Sequence, residues 1–253
     1  MPEKLSIAAR EGERIAKLIA RAGLCSRRDA EKLIAQGRVK LNGMTIRTPA
    51  VKISSGDNVE IDGRPLPQKE PTRLWRYHKP PGLIVSHRDP RGRPTIFDAL
   101  PKGLPRVLSI GRLDFNTEGL MLLTNDGALE RRLELPATGW TRRYRVRVHG
   151  DLDERALAKL QQGIVVDGVR YAPVDAEVER RQGDNAWLSF ALKEGKNREI
   201  RRICEHLSLQ VNRLIRVAFG PFQLGALGRS EVKEVPERVL REQLGSLLKD
   251  EAS

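Results

Sequence analysis

The sequence predicts an α+β protein in two parts. A small module of two helices and a short sheet precedes a domain with a mixed or antiparallel sheet flanked by helices. Three observations predict this class. The chain has 253 residues, enough for a small and a medium domain. Segments with helical and with strand periodicity both occur along it. A segment with three prolines, residues 64–72, separates the two parts.

The charge balance favours a polyanionic partner. The formal net charge is +13 and the sequence pI is about 10.2, which is typical of nucleic-acid-binding proteins. A membrane surface is the competing polyanion. However, no run is long and apolar enough to span a bilayer, and the N-terminus lacks a secretory apolar region. We therefore expect a soluble, cytoplasmic protein. Two cysteines and four histidines without ligand spacing predict no metal site.

Residues 13–63 are expected to form two helices and a small sheet. Ser26 is the predicted N-cap of the second helix, and Asp29, three residues later, completes a capping box. The pair Asn42-Gly43 predicts a tight hairpin turn. Strands are expected on both sides of that turn and in two later segments: residues 39–41, 44–46, 51–53 and 59–61.

Cations cluster on the second helix of this module and on the strand after it. The candidate RNA-binding residues there are Arg27, Arg28, Lys32 and Lys40. A cationic helix face beside a polar turn suits a phosphate backbone, and A-form RNA is recognised largely through its shape and backbone. A solvated surface helix is the alternative interpretation.

Residues 64–72 are predicted to be a stiff linker, and residues 73–245 the larger domain. Periodicity predicts strands at residues 74–78, 107–110, 120–123, 141–148, 165–169, 176–178, 187–192 and 211–217. It predicts helices at residues 128–135, 153–163 and 239–248, and a short helix or strand at 96–100. Residues 194–207 are expected to open with a glycine turn and to continue as a helix. The basic loop 87–94 is either an RNA-contacting loop or a surface hairpin.

The stretch between Gly111 and Gly127 contains a candidate catalytic group. Asp114 lies beside Arg112 on a glycine-bounded loop, before an apolar run that predicts a strand buried on both faces. Loops held on rigid elements commonly carry catalytic residues. The residues alone leave a second interpretation open, in which Asp114 caps a turn or pairs with Arg112.

Two later segments add an aromatic residue and a basic cluster. Tyr144 lies in the alternating segment 141–148, on the face opposite to three arginines. The predicted helix 194–207 has cations near its N-terminal end, namely Lys196, Arg198, Arg201 and Arg202. Cations there oppose the helix dipole, so a bound anion or a buried carboxylate is a reasonable partner. A core tyrosine and a solvated helix face are the alternatives.

Several motifs occur in an order that resembles a known family. They are Ser-Arg-Arg-Asp-Ala (26–30), Val-Lys-Leu-Asn-Gly (39–43), Lys-Pro-Pro-Gly (79–82), Gly-Arg-Leu-Asp-Phe-Asn-Thr-Glu-Gly (111–119), the Tyr144 strand and Glu-Gly-Lys-Asn-Arg-Glu-Ile-Arg-Arg-Ile (194–203). The first two resemble a small RNA-binding module found in a ribosomal small-subunit protein, some tRNA synthetases and several RNA-modifying enzymes. Together the motifs resemble the RsuA/RluB family of bacterial ribosomal RNA pseudouridine synthases, most closely its large-subunit members.

The resemblance implies that a uridine of large-subunit rRNA is isomerised to pseudouridine without a metal or other cofactor. Asp114 would be the catalytic aspartate and Arg201 the basic residue that pairs with it. Tyr144 would pack under the base and help to take the proton from carbon 5. Whether Asp114 attacks the ribose or removes a ribose proton stays open. Further RNA contacts are expected from Arg112, Arg198 and Arg202.

The expected partner is rRNA, either free or in a ribosome assembly intermediate, and the expected state is a monomer. A small-subunit enzyme of the same family would differ only in its target. A non-catalytic rRNA-binding or assembly factor would keep the same fold, but the intact Asp114 argues against it. A heat-shock RNA-binding protein would explain the first module alone.

Overall fold

The computed structural model describes residues 12–248, which divide into two compact units. Within this part of the chain, residues 12–72 and 105–107 belong to the first unit, and the other residues belong to the second. The first unit has one hydrophobic core and the second unit has two. The predicted α+β class is confirmed. Across these residues, the helices lack the combination of length and apolarity that crossing a membrane requires.

The first unit packs two helices against a small sheet. Its elements are β1 (Glu13–Arg14), α1 (Ile15–Arg21), α2 (Arg27–Ala35), β2 (Val39–Leu41), β3 (Met44–Ile46), β4 (Lys52–Ile53), β5 (Val59–Ile61) and β6 (Arg64–Pro65). Four strands form one sheet in the order β3-β2-β5-β6, and β1 pairs with β4. The core between helices and sheet contains the fully buried Ile15, Ile19, Ile34 and Leu41.

Two local signals in this unit, the Asn42-Gly43 hairpin turn and the Ser26 cap, are confirmed. Asn42 and Gly43 have φ angles of 50° and 80°, which join β2 and β3 in the predicted tight hairpin. Ser26 caps α2, because its Oγ accepts a hydrogen bond from the Asp29 backbone N–H at 3.1 Å. The Ser26 hydroxyl also donates to the Asp29 carboxylate at 2.6 Å.

The predicted linker 64–72 begins too early. Arg64–Pro65 forms β6 and pairs with β5, and the Leu66 backbone N–H donates to the Val59 carbonyl at 2.9 Å. Asp62 and Gly63 have φ angles of 52° and 75°, a turn that returns the chain to the sheet edge. Proline is tolerated on an edge strand, so the proline content concealed this strand.

The second unit is built on a nine-stranded sheet with helices on both faces. Its strands are β7 (Leu74–Lys79), β8 (Leu108–Ile110), β9 (Glu118–Thr124), β10 (Arg142–His149), β11 (Ile164–Val166), β12 (Val169–Tyr171), β13 (Asp175–Gln182), β14 (Asn185–Leu192), β15 (Gln210–Phe219), β16 (Phe222–Gln223) and β17 (Val232–Glu234). Its helices are α3 (Ile96–Ala99), α4 (Gly127–Glu134), α5 (Glu154–Lys159), α6 (Glu199–His206) and α7 (Glu237–Leu248), with 3₁₀ turns at Pro136–Thr138 and Leu160–Gln162.

The sheet is mixed because one of its strand pairs is parallel. The main path is β13-β14-β10-β15-β9-β7-β17, with β16 on β15 and β8 on β9, while β11 and β12 form a separate hairpin. Strands β9 and β15 are parallel, and the other pairs of this sheet are antiparallel. Leu214 and Ile215, successive residues of β15, belong to different cores, so the two cores lie on opposite faces of the sheet.

The basic helix near residue 200 starts later than predicted. It begins at Glu199, and Arg198 before it has a left-handed φ of 53°. Lys196 and Arg198 therefore precede the helix rather than forming its first turn. Glu199 is the buried carboxylate of this segment, and it accepts a hydrogen bond from the Lys196 backbone N–H at 2.9 Å. Burial raises the pKa of Glu199.

Candidate active site

Asp114 lies in the loop 111–117, which connects β8 to β9. The loop is fixed at both ends: the Gly111 N–H donates to the Glu134 carboxylate at 2.7 Å, and the Thr117 N–H donates to the Asp114 carbonyl at 3.0 Å. Strand β9, which follows, is buried along its whole length, as the sequence predicted. Asp114 itself is half-buried. A partly exposed carboxylate is thus held on a loop attached to the centre of the sheet.

The side chain of Lys79 holds this loop in place through hydrogen bonds to its backbone. The side chain is fully buried at the end of β7, and its Nζ donates to the carbonyls of Asp114, Phe115 and Thr117 at 3.1, 3.3 and 2.8 Å. Burial lowers the pKa of Lys79 to about 8, although the negative charges of Asp114 and Glu118 act to raise it. Because one ammonium group binds three carbonyls, it fixes the path of the backbone that presents Asp114.

A row of directly paired residues crosses the sheet beside the loop. The pairs are Lys79–Gly119, Gly119–Arg216 and Arg216–Tyr144. Directly opposite residues project to the same face of a sheet. Tyr144 and Arg216 therefore share the face on which Lys79 holds the loop. Tyr144 is half-buried, and Arg216 is only 2% exposed.

Helix α6 packs on the same face of the sheet as Tyr144 and also contacts the loop that carries Asp114. Its residues Ile200 and Ile203 belong to the core against which Tyr144 packs. From the same helix, the Arg201 guanidinium donates to the Asn116 carbonyl at 3.1 Å. Residue Arg201 is thereby placed against the loop that carries Asp114.

Arg201 and Asp114 are close enough for their charges to interact. Burial and the neighbouring Arg198 lower the pKa of Arg201, and the Asp114 carboxylate acts to raise it. Within residues 12–248, the Arg201 Nε is buried without a hydrogen-bond partner. The pairing of Arg201 with Asp114 that the family resemblance implies is compatible with this arrangement and stays a prediction.

On the opposite face, Glu118 ties β9 to β15. Its carboxylate is almost fully buried and accepts hydrogen bonds from Arg213 and from Arg229, the latter at 3.1 Å. Burial acts to raise the pKa of Glu118, but the hydrogen bonds and charges of the two arginines outweigh it and leave the pKa below its usual value. Strand β9, which follows the Asp114 loop, is therefore anchored to β15 from this face as well.

The remaining predicted site residues are dispersed. Arg112 is exposed on the Asp114 loop, Arg198 is exposed before α6, and Arg202 is half-buried within α6. The four cations predicted to bind RNA in the first unit are all exposed, namely Arg27, Arg28, Lys32 and Lys40. These four residues belong to the first unit.

Two family models match the chain. A model described as RNA pseudouridylate synthase matches residues 73–206, more than half of the chain. A model of the S4 domain matches residues 13–59.

The chain belongs to the RNA pseudouridylate synthase family. The resemblance inferred from the motifs is thus confirmed, and the protein is an RNA pseudouridine synthase with an RNA-binding S4 domain ahead of the catalytic domain. Asp114, Tyr144 and Arg201 all lie inside the matched segment 73–206.

Proteins named as pseudouridine synthases are similar over most of this chain. A Rickettsia prowazekii protein named as an uncharacterized RNA pseudouridine synthase is 46% identical over 231 residues, 91% of this chain and 97% of that protein. The ribosomal large subunit pseudouridine synthase B of Yersinia pestis is 40% identical over 219 residues, 84% of this chain and 69% of that protein. A crystal structure of a pseudouridylate synthase superimposes with a TM-score of 0.63 at 28% identity, covering 91% of this chain and 99% of that one.

The geometry adds two residues that the sequence analysis did not select. Lys79 begins one of the family motifs, Lys79-Pro-Pro-Gly82, but the sequence analysis assigned no role to its side chain. Arg216 lies in a predicted strand between apolar neighbours, Ile215 and Val217. An arginine in such a run was the available signal, because a cation at an inward position needs a specific partner.

Proposed function

We propose that this enzyme isomerises a uridine of large-subunit rRNA to pseudouridine and that Asp114 is its essential carboxylate. The observation that carries the proposal is the placement of Asp114. Lys79 holds its loop by three carbonyls, and Arg201 approaches the same loop from α6. Such a fixed carboxylate with a cation nearby suits chemistry at a sugar carbon.

In the proposed mechanism Asp114 acts on the ribose, either by attacking it or by removing a ribose proton. Either role needs an ionised carboxylate, and Arg201 stabilises that form. The bond between N1 and C1′ breaks, the uracil turns, and C5 bonds to C1′. Tyr144 packs against the base and takes the C5 proton, which passes to solvent while N1 gains a proton. No oxidant or reductant is consumed.

The target base must leave its stack to reach Asp114. Enzymes that act on a base inside folded nucleic acid extrude it into a pocket, where aromatic side chains replace the lost stacking. In this proposal Tyr144 supplies that contact, worth about 1–3 kcal/mol. The exposed Arg112 and Arg198, together with Arg202, bind the backbone on either side of the extruded nucleotide.

The choice of large-subunit rRNA rests on a named relative. The Yersinia pestis protein with 40% identity is named for the ribosomal large subunit, and the alignment covers 84% of this chain. The S4 domain, with its exposed Arg27, Arg28, Lys32 and Lys40, supplies further contacts to the same rRNA. We propose that the enzyme acts as a monomer in the cytoplasm, on rRNA that is free or in an assembly intermediate.

Pseudouridine mapping tests this target. In cells with and without the gene, carbodiimide labelling and reverse-transcriptase stops are compared over both ribosomal RNAs. The expected result is one stop in large-subunit rRNA that disappears with the gene and returns with it. A stop that changes only in small-subunit rRNA would mean that the target lies in the small subunit. No change in either RNA would favour a binding or assembly role without catalysis.

The S4 domain gives a prediction about salt dependence. Removing two of the three exposed cations of α2 in Arg28→Ala/Lys32→Ala should weaken rRNA binding and lower the slope of log Kd against log salt concentration by about 1–2, because roughly one counterion is released per phosphate contact. The measurement is filter binding of an rRNA transcript between low and physiological salt.

A matched control removes the same charge elsewhere. Arg238 and Arg241 lie on α7 of the other unit with highly exposed side chains, and each pairs with a glutamate four residues away. Arg238→Ala/Arg241→Ala should leave the slope unchanged. Equal effects of the two double variants would mean that only net charge matters, and would remove α2 from the RNA interface.

A further inference from the structure

Arg216 is a buried cation whose hydrogen bonds are incomplete. It is 2% exposed on β15, with its guanidinium 5.0 Å from the centre of the Phe219 ring. The Nε donates to the Leu120 carbonyl at 2.7 Å. Among the described residues, the Nη2 is buried without a hydrogen-bond partner. Burying a guanidinium is costly in free energy unless its donors are used. A buried donor without a partner therefore suggests that Arg216 has a functional role.

Tyr144 is a polar neighbour of Arg216 across the sheet. Arg216 and Tyr144 are directly opposite on β15 and β10. On its other side Arg216 is opposite Gly119, which has no side chain to offer. Burial lowers the pKa of Arg216, and its interaction with the Tyr144 hydroxyl acts to raise it. The phenol is therefore the group that partly compensates the buried charge.

The two arginines near the site serve different partners. Arg201 donates to the Asp114 loop through the Asn116 carbonyl. Arg216 is on a different element and interacts with Tyr144. A guanidinium next to a phenol oxygen can donate a hydrogen bond to that oxygen and hold it in one orientation.

We propose that Arg216 is a positioning residue for Tyr144: its guanidinium donates a hydrogen bond to the Tyr144 oxygen and aims that oxygen at C5 of the turned uracil, from which it removes the proton. The C5–H bond breaks, its electron pair restores the C5–C6 double bond, and the proton moves to the Tyr144 oxygen and then to solvent. This inference rests on the proposed function, because it assigns a partner to the group that completes that reaction.

The test uses a step-specific isotope effect. Large-subunit rRNA transcripts are made with uridine or [5-²H]uridine, and single-turnover pseudouridine formation is followed with the full-length enzyme. For Arg216→Met we expect a rate loss of about 10²-fold, the usual order for a lost proton-transfer contribution, and a deuterium isotope effect larger than that of wild type. Tyr144→Phe should show the same increase in isotope effect.

Two further variants keep the inference open to contradiction. Arg216→Lys retains the charge and should recover part of the rate, with an isotope effect close to that of wild type. Arg216→Gln retains a donor without the charge, carries the test if Arg216→Met does not fold, and should again give a larger isotope effect than wild type. A slow variant with the isotope effect of wild type would mean that Arg216 only supports the strand.

A double variant and the wild type complete the design. Tyr144→Phe/Arg216→Gln should be no slower than Tyr144→Phe alone, since Arg216 acts through that tyrosine. Additive losses would overturn the inference while leaving the proposed function intact. If wild type forms no pseudouridine in either the large-subunit or the small-subunit transcript, the proposed function and this inference fail together.

Discussion

Asp114→Asn is expected to abolish pseudouridine formation and to leave RNA binding nearly unchanged. The amide is close in shape to the carboxylate, so the Lys79 contacts to the loop backbone remain, since they use carbonyls and not the Asp114 side chain. The lost negative charge is one among 33 acidic residues and barely alters attraction to RNA. We expect a rate loss of at least ~10³-fold, as is common when a catalytic side chain is removed. Tritium release from [5-³H]uridine-labelled rRNA and filter binding measure the two properties.

Asp175→Asn is the matched control for this experiment. Asp175 is exposed on β13 of the same unit, and the substitution removes the same charge. Its activity should equal that of wild type. If Asp114→Asn retained substantial tritium release, Asp114 would not be the reacting carboxylate, and the loop 111–117 would have only a binding role.

Much of the fold could be predicted because its information is local. The Asn42-Gly43 turn, the Ser26 cap and the strand after the Asp114 loop each depend on a few adjacent residues, and each was predicted. Where a local signal was ambiguous, the prediction failed. The turn at Asp62-Gly63 was masked by the prolines that follow it, so the strand β6 was assigned to a linker.

The candidate site was predictable only in part, since its assembly depends on contacts between distant segments. Asp114, Tyr144 and Arg201 were selected by family resemblance, whereas Lys79 and Arg216 were not. Their roles depend on pairings that no periodicity reveals: Lys79 reaches the loop from β7, and Arg216 meets Tyr144 because β15 lies between β10 and β9. The start of α6 at Glu199 was also hidden, since Arg198 adopts a left-handed conformation that its residue type does not predict.

Gly119→Ala should destabilise the catalytic domain strongly, because Gly119 lies where the parallel strands β9 and β15 meet. Its φ is +111°, and an added Cβ would lie 2.3 Å from the Arg216 carbonyl oxygen and 2.6 Å from the Arg216 nitrogen. Both atoms are backbone, so neither can move without separating the strands. We expect a loss of about 3 kcal/mol or more in the free energy of unfolding, combining backbone strain with the clash. Urea denaturation followed by circular dichroism measures it.

Gly168→Ala separates strain from the clash. Gly168 also has a positive φ, +76°, in the turn between β11 and β12, and an added Cβ there would meet no atom within 4 Å. Gly168→Ala should lower the free energy of unfolding by only about 1 kcal/mol. Gly119→Ala also predicts a functional defect in whatever fraction folds, because separating β9 from β15 shifts the Asp114 loop relative to Arg216 and Tyr144. Equal stability losses for the two variants would show that β9 and β15 can move apart without a further loss of stability. The relative placement of Asp114, Arg216 and Tyr144 would then not depend on Gly119.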